Sequence, residues 1–266
     1  MNRILITGSA GFLGVNLANY LLKDDKNVVF GVDNFSNSNI SNLYTLLKND
    51  RFNLIQEDIA SRLNLSVDTV FHLAGSGDFT QYYSNKTNYI YSKLVNIKNM
   101  LEYCALTGAK FFYVTDFPDY SDIKKGFNLY YDTEKLIIEI IKDFAEDKKL
   151  DCKILRLTEA YGKNAVLEDK RLIPSTIIKA FHNDTIKLDY DESVYFTYVD
   201  DIVRAIGKIL NNYTENNVID ISSPNALLRT DVIKLILKLT KSNSKIVLKN
   251  NYIHKPDFSP DTSYLN

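Results

Sequence analysis

The chain has 266 residues and a mass of 30.5 kDa, which is enough for one large domain or two small ones. Its net charge of -1 argues against a general electrostatic affinity for nucleic acid or for anionic membranes. The two cysteines and three histidines are scattered along the sequence, so we expect no metal site. We find neither a signal peptide nor an apolar run of membrane-spanning length, and a cytoplasmic location is the expectation.

Short apolar runs alternate with segments of helical periodicity over the first 160 residues. The runs typical of buried strands are residues 3–7, 27–32, 52–56, 69–73, 110–115 and 152–157. The segments with helical spacing are residues 12–23, 40–48, 86–107 and 129–146. This alternation predicts an α/β fold, a parallel sheet with helices on both faces.

The pattern changes after residue 160 to a polar loop followed by shorter helices and strands. We therefore predict a domain over residues 1–160 and a smaller α+β lobe over residues 161–266. Some strands and helices of the second segment could return to the first domain.

A glycine-rich segment follows the first predicted strand and opens the first predicted helix. It spaces three glycines as Gly-x-x-Gly-x-x-Gly within residues 7–14. Such glycines allow a tight turn, a close approach of backbone to pyrophosphate, and close packing of helix on strand. The helix N-terminus adds free N–H groups. The predicted phosphate-binding residues are Gly8, Ala10, Gly11, Phe12, Leu13 and Gly14.

Acidic and small residues follow the next strands, where the rest of a dinucleotide would lie. Asp33 ends the second strand, nineteen residues after Gly14, and is placed to accept hydrogen bonds from ribose hydroxyls. It would repel a 2′-phosphate, so NAD is favoured over NADP. The other predicted cofactor contacts are Asn34, Asp58, Ile59, Leu73, Ala74 and Gly75. His72 is interpreted as a packed core residue.

Motifs throughout the chain resemble those of the extended short-chain dehydrogenase/reductases, specifically the NAD-dependent epimerase/dehydratase family. They comprise the glycine loop, Val32-Asp33-Asn34, Asp58-Ile59, His72-Leu73-Ala74, Tyr131-x-x-x-Lys135, Leu155-Arg156-Leu157, Tyr161-Gly162, Leu172-Ile173-Pro174 and Tyr198-Val199-Asp200-Asp201. The resemblance implies a Rossmann-like, doubly wound parallel sheet with an NAD(P)-binding N-terminal domain. It also implies that the small C-terminal lobe binds a nucleotide-linked sugar.

The pattern Tyr-x-x-x-Lys occurs five times, and only its context identifies the reacting pair. The occurrences begin at Tyr44, Tyr82, Tyr89, Tyr120 and Tyr131. The pair should lie one helical turn apart, after the fifth strand and a helix length before the sixth. Tyr131 and Lys135 meet these conditions, whereas Tyr120 and Lys124 follow Pro118 in a predicted loop.

The chemistry of this pair is acid–base catalysis. A tyrosine ordinarily titrates near pH 10, and the ammonium of Lys135 would stabilise the Tyr131 phenolate. Tyr131 could then accept a proton from a sugar hydroxyl or donate one to a ketone, while Lys135 would also hold the nicotinamide ribose. The resemblance implies a third catalytic residue at the end of strand five, which is either Thr115 or Asp116.

Several positions depart from the pattern of the family. Phe117 stands where the similar 4,6-dehydratases carry a glutamate base, which disfavours dehydration. Lys93 and Glu159 replace two asparagines, and Val194 replaces an arginine that clamps the diphosphate. Arg171 or Lys163 could supply that charge. The predicted substrate-binding residues are Glu159, Arg171 and Leu172.

We therefore expect an NAD-dependent enzyme that transfers hydride at C4 of a nucleotide-linked sugar, with 4-epimerisation favoured. One alternative is an NAD(P)H-dependent reductase of a 4-keto-6-deoxy nucleotide sugar. Another is a non-catalytic dinucleotide-binding module. The resemblance also implies a homodimer formed through the long helix and the helix bearing Tyr131.

Overall fold

The computed structural model describes residues 1–60, 63–75, 82, 84–116, 129–165, 171–211, 217–254 and 259–262. Its centre is a sheet of seven parallel strands in the order β11-β6-β5-β4-β1-β2-β3. These strands are β1 (Asn2–Thr7), β2 (Asn27–Val32), β3 (Phe52–Ile55), β4 (Thr69–His72), β5 (Lys110–Asp116), β6 (Cys152–Leu157) and β11 (Val218–Ile221). The predicted parallel α/β fold is confirmed.

The α-helices of the described chain are α1 (Phe12–Leu21), α2 (Lys86–Thr107), α3 (Leu129–Lys148), α4 (Leu172–His182), α5 (Val199–Asn211) and α6 (Arg229–Thr240). The helix predicted at residues 40–48 is wrong, because two short 3-10 helices, Ile40–Leu43 and Leu46–Lys48, lie there. The side chain of Asn39 caps the first of them, and Asn42 donates to the carbonyl of Ala10 at 2.9 Å. These polar contacts tie the segment to the glycine loop.

The sheet is buried on both faces, which explains why its strands are almost continuously apolar. In β1, Ile4 and Ile6 belong to the core cluster shared with α1 and α5. Leu5 faces the opposite way, into the cluster formed with α2 and α3. All three side chains are at most 1% exposed.

The C-terminal part of the chain contributes to two regions. Helix α5 and strand β11 join the central sheet and its core, as the sequence allowed. Helices α4 and α6 pack together around Ala180, Phe196, Val232 and Ile236. The remaining strands form small sheets and comprise β7 (Glu159–Tyr161), β8 (Ile186–Leu188), β9 (Asp191–Val194), β10 (Phe196–Tyr198), β12 (Leu227–Leu228), β13 (Ile246–Leu248) and β14 (Ile253–His254). The domain boundary at residue 160 stays a prediction.

The strand order positions the site. The chain proceeds from β1 to β2 and β3 on one side, then continues with β4, β5 and β6 on the other. Ligands of open α/β sheets bind at such a reversal, outside the carboxyl ends of the strands. The glycine loop after β1 and residues Thr115 and Asp116 at the end of β5 lie at this edge.

Candidate active site

The glycine loop forms a tight turn between β1 and α1. Gly8 has a φ of +69°, and its N–H donates to the carbonyl of Val32 at 2.8 Å. A Cβ on Gly14 would lie only 2.3 Å from the carbonyl oxygen of Gly8. Glycine at position 14 is therefore what lets α1 approach the loop closely, and α1 begins at Phe12 with its N-terminus directed there.

Asp33 holds the loop from the second strand. One carboxylate oxygen accepts the backbone N–H of Ala10 at 2.9 Å. The other accepts the N–H of Phe35 and the hydroxyl of Ser38, at 2.9 and 2.8 Å. The residue is only 9% exposed, so its carboxylate is fixed beside the loop.

A cavity of about 530 Å³ opens next to Asp33, a size suited to part of a dinucleotide. Seven predicted cofactor contacts line it, namely Gly8, Asp33, Asn34, Asp58, Ile59, Ala74 and Gly75. Asn34 and Asp58 are joined by a hydrogen bond of 3.0 Å. Of the other predicted contacts, Ala10, Gly11, Phe12, Leu13 and Gly14 belong to the adjoining loop and helix start, and Leu73 is buried in the core. Loop, carboxylate and cavity together fit a dinucleotide.

His72 is buried, as expected of a core residue. Its Nδ1 lies 2.8 Å from the Thr7 hydroxyl oxygen. Burial, followed by the positive charge of Lys93, lowers the pKa of His72 from 6.5 to about 3. The imidazole is therefore neutral in the folded protein near neutral pH.

Tyr131 and Lys135 lie one turn apart on α3, as predicted. The Tyr131 ring packs edge-on against Tyr130, with ring centroids 5.4 Å apart. Tyr130 also stacks with Tyr89, which lines the cavity and donates its hydroxyl to the carbonyl of Gly75 at 2.6 Å. Lys135 forms an ion pair of 3.6 Å with Asp132. This aromatic cluster joins Tyr131 to the cavity wall.

Other copies of the tyrosine–lysine motif occupy different surroundings. Tyr44 is 62% exposed in the turn between the two 3-10 helices, and Tyr82 is buried in the aromatic cluster. The hydroxyl of Tyr89 is hydrogen-bonded to the carbonyl of Gly75. The rival pair Tyr120 and Lys124, like Phe117, lies outside the described residues.

Sequence reasoning missed the carboxylate of Glu134, which lies on α3 between Tyr131 and Lys135 and bonds to side chains of β5. Glu134 accepts the hydroxyl of Thr115 at 2.7 Å and that of Tyr113 at 2.9 Å. Its other oxygen forms a buried ion pair with Lys93. The signal that could have revealed Glu134 was Lys93 itself, because a cation on the inner face of a helix requires an anion.

Asp116 follows Thr115 at the end of β5, and its side chain is half-buried. The hydroxyl of Tyr130 donates to its carboxylate at 3.5 Å. Burial, the largest cause, raises the pKa of Asp116, and the positive charge of Arg171 acts in the opposite direction. Two titratable groups, Asp116 and Tyr131, thus flank the same tyrosine ring.

The predicted substrate residues come after β6 in the chain. Arg171 precedes α4, donates to the carbonyl of Ala160 at 3.2 Å, and places its guanidinium 5.0 Å from the ring centroid of Phe12. Leu172 begins α4 and packs in the apolar cluster around Ala180 and Phe196, and Glu159 begins the partly buried strand β7.

The two cations considered as substitutes for an arginine at position 194 have different surroundings. Val194 packs in the same apolar cluster as Leu172. Lys163 is paired with Asp200 at 2.8 Å. Arg171 is therefore the better candidate for contacting a phosphate, since it reaches Phe12 at the start of α1.

A glycine loop, an acid at the end of β2 and a tyrosine–lysine pair after β5 define a dinucleotide-dependent α/β enzyme. The chain belongs to the NAD dependent epimerase/dehydratase family, whose model matches residues 4–222. It is 25% identical over 279 aligned positions to UDP-glucuronic acid decarboxylase 6 of Arabidopsis thaliana, covering 98% of this chain and 81% of the relative.

Solved structures share the fold. UDP-glucuronic acid 4-epimerase from Bacillus cereus superposes with a TM-score of 0.83 at 23% identity, covering 99% of this chain and 91% of that one. A dTDP-glucose 4,6-dehydratase from Streptomyces venezuelae superposes with a TM-score of 0.82 at 18% identity, covering 96% of this chain and 88% of that one. Both were solved with NAD bound.

The family uses NAD, and the described residues of the site fit that group. Bound NAD supplies a hydride acceptor and donor. The described part of the chain contains no group of three or more side chains that could ligate a metal ion. Among its helices, none is both long and apolar enough to cross a membrane.

Proposed function

We propose that the protein oxidises the C4 hydroxyl of a nucleotide-linked sugar and returns the hydride to the opposite face, as a 4-epimerase. The observation that carries the proposal is the connection of Tyr131, through Tyr130 and Tyr89, to a cavity lined by the Asp33 carboxylate. This chain of ring contacts supports an acid–base group close to a dinucleotide cradle at one edge of the sheet.

Each residue then has a defined task. Asp33 and the loop from Gly8 to Gly14 bind the adenosine ribose and pyrophosphate. Tyr131 removes the proton from the sugar hydroxyl and later returns it, and the charge of Lys135 favours the phenolate. Arg171 contacts the substrate diphosphate, with Glu159 and Leu172 lining the sugar side.

Decarboxylation of UDP-glucuronic acid is the second candidate, and the curated relatives favour it. The two reactions share their first step, oxidation at C4. A ketone at C4 is β to the carboxylate carried on C5. It can therefore accept the electron pair that is released when the bond between C5 and the carboxylate carbon breaks. Both reactions end with return of the hydride to C4, in the decarboxylase after C5 has taken up a proton in place of CO₂ and in the epimerase with the carboxylate still attached.

Product analysis with NAD and UDP-glucuronic acid or UDP-glucose tests the proposal. A C4 epimer without CO₂ supports the epimerase, whereas a pentose nucleotide and CO₂ support the decarboxylase. Net NADH consumption with a 4-keto-6-deoxy nucleotide sugar supports the reductase. NAD binding without turnover of any UDP-, dTDP-, GDP- or CDP-sugar contradicts the proposal and favours a binding module.

A further inference from the structure

A buried polar network lies beneath the end of β5, and we call its members Lys93, Tyr113, Thr115 and Glu134 the Glu134 network. The side chains of Lys93 and Glu134 are each 3% exposed and form an ion pair between α2 and α3. A charge is stable at such depth only when it is paired and hydrogen-bonded. In this ion pair the charge of Lys93 compensates that of the Glu134 carboxylate.

The ionised carboxylate determines the direction of the hydrogen bonds around it. A carboxylate has no proton to give, so the hydroxyls of Thr115 and Tyr113, at 2.7 and 2.9 Å, must both donate to Glu134. Hydrogen bonds to a charged acceptor are about twice as strong as neutral ones. The single hydroxyl proton of Thr115 is therefore used in its hydrogen bond to Glu134.

We infer that Glu134 is a positioning residue that fixes Thr115 as a hydrogen-bond acceptor and withdraws it from donation to the reacting sugar oxygen. Tyr131, rather than Thr115, then supplies the proton for that oxygen. The kinetic consequence rests on the proposed function, but the direction of the Thr115 hydroxyl does not.

The first experiment measures the hydroxyl direction without substrate. In protein labelled selectively at threonine, NMR should show a slowly exchanging Thr115 hydroxyl proton. The signal should disappear in the double variant Lys93→Met/Glu134→Leu, which removes both charges together and leaves neither unpaired. Its matched control, Lys98→Met/Glu102→Leu, removes an exposed ion pair of α2 and should preserve the signal. Fast exchange of this proton in the folded wild type would overturn the inference.

The second experiment is a mutant cycle on kcat with a nucleotide sugar that the wild type turns over. Thr115→Val should cost less than about tenfold in the wild type, because no donor to substrate is lost. In the Lys93→Met/Glu134→Leu background the freed hydroxyl can donate, and the same substitution should cost about tenfold more, with KM little changed. A loss near a hundredfold in the wild type, or equal losses in both backgrounds, contradicts the inference. If the wild type turns over no nucleotide sugar, the proposed function is refuted but this inference is not. The NMR result then decides the inference.

Discussion

The Asp33 carboxylate accepts the backbone N–H of Ala10 at 2.9 Å and so joins the end of β2 to the glycine loop. This carboxylate also lines the cavity. It therefore acts both as a support of the loop and as a predicted ligand of the adenosine ribose.

Replacing Asp33 by asparagine tests both roles. The amide keeps one acceptor oxygen but loses the charge, and charged hydrogen bonds contribute about 1.5–3 kcal/mol. We expect NAD affinity to fall by about tenfold or more in isothermal titration, and the preference for NAD over NADP to shrink because repulsion of a 2′-phosphate is lost. Asp189→Asn, in an exposed ion pair with Lys249, is the control. Unchanged affinity for NAD would show that Asp33 supports the glycine loop but does not bind the cofactor.

Gly14→Ala should abolish tight NAD binding. A methyl group 2.3 Å from the Gly8 carbonyl oxygen forces the loop and α1 apart, where the phosphates are expected. Gly108→Ala is the comparison, because its positive φ of 75° strains alanine while the added Cβ meets open space. It should cost about 1 kcal/mol of folding free energy and leave NAD affinity intact. Urea unfolding and NAD titration on both variants measure these effects.

How much of this site the sequence could predict depends on how far apart along the chain the interacting residues lie. The buried strands and the glycine loop were readable because apolar runs and glycine spacing are local signals. The Lys93–Glu134 pair joins residues 41 positions apart, and Glu134, an acid within a helix, resembles an ordinary exposed residue. The helix expected at residues 40–48 is replaced by two 3-10 helices, and within this segment Asn42 bonds to the backbone of Ala10.

Tyr131→Phe should lower kcat by at least about a hundredfold, since a positioned acid–base group contributes about 10² to 10⁴. NAD affinity should change little, because the variant removes one hydroxyl and keeps the ring packed on Tyr130. Tyr44→Phe is the matched control, as Tyr44 and Lys48 share the motif spacing but lie at the surface. Equal turnover of Tyr131→Phe and wild type would exclude Tyr131 as the catalyst.

His72 should make the protein less stable in mild acid. Its pKa, lowered to about 3 in the folded state, remains near 6.5 after unfolding. Between these values only the unfolded chain takes up the proton, so stability falls by about 1.4 kcal/mol per pH unit as pH decreases below 6.5.

Urea unfolding at pH 6.5 and 5 should therefore show a loss of about 2 kcal/mol attributable to His72. The variant His72→Gln retains a polar group near Thr7 and lacks the titration, so its loss over this interval should be smaller by that amount. Equal losses in the two proteins would indicate that His72 is accessible to protons in the folded state.

The predicted homodimer requires an apolar face that the sheet leaves uncovered. Two apolar residues of α3, Ile137 and Ile141, are fully buried against the sheet. Helical periodicity cannot distinguish a sheet from a partner helix. The apolar residues that α3 exposes are Leu136 and Ile140, at 54% and 38%, and they lie one turn apart.

If α3 forms the dimer interface, Leu136→Lys/Ile140→Lys should yield folded monomers in light scattering coupled to size exclusion. Ile141→Lys should instead unfold the protein, because it buries an unpaired charge in the core. Leu239→Lys, on the exposed side of α6, controls for a general effect of added charge. A dimer that survives the α3 substitution would place the interface elsewhere, and a wild-type monomer would refute the homodimer itself.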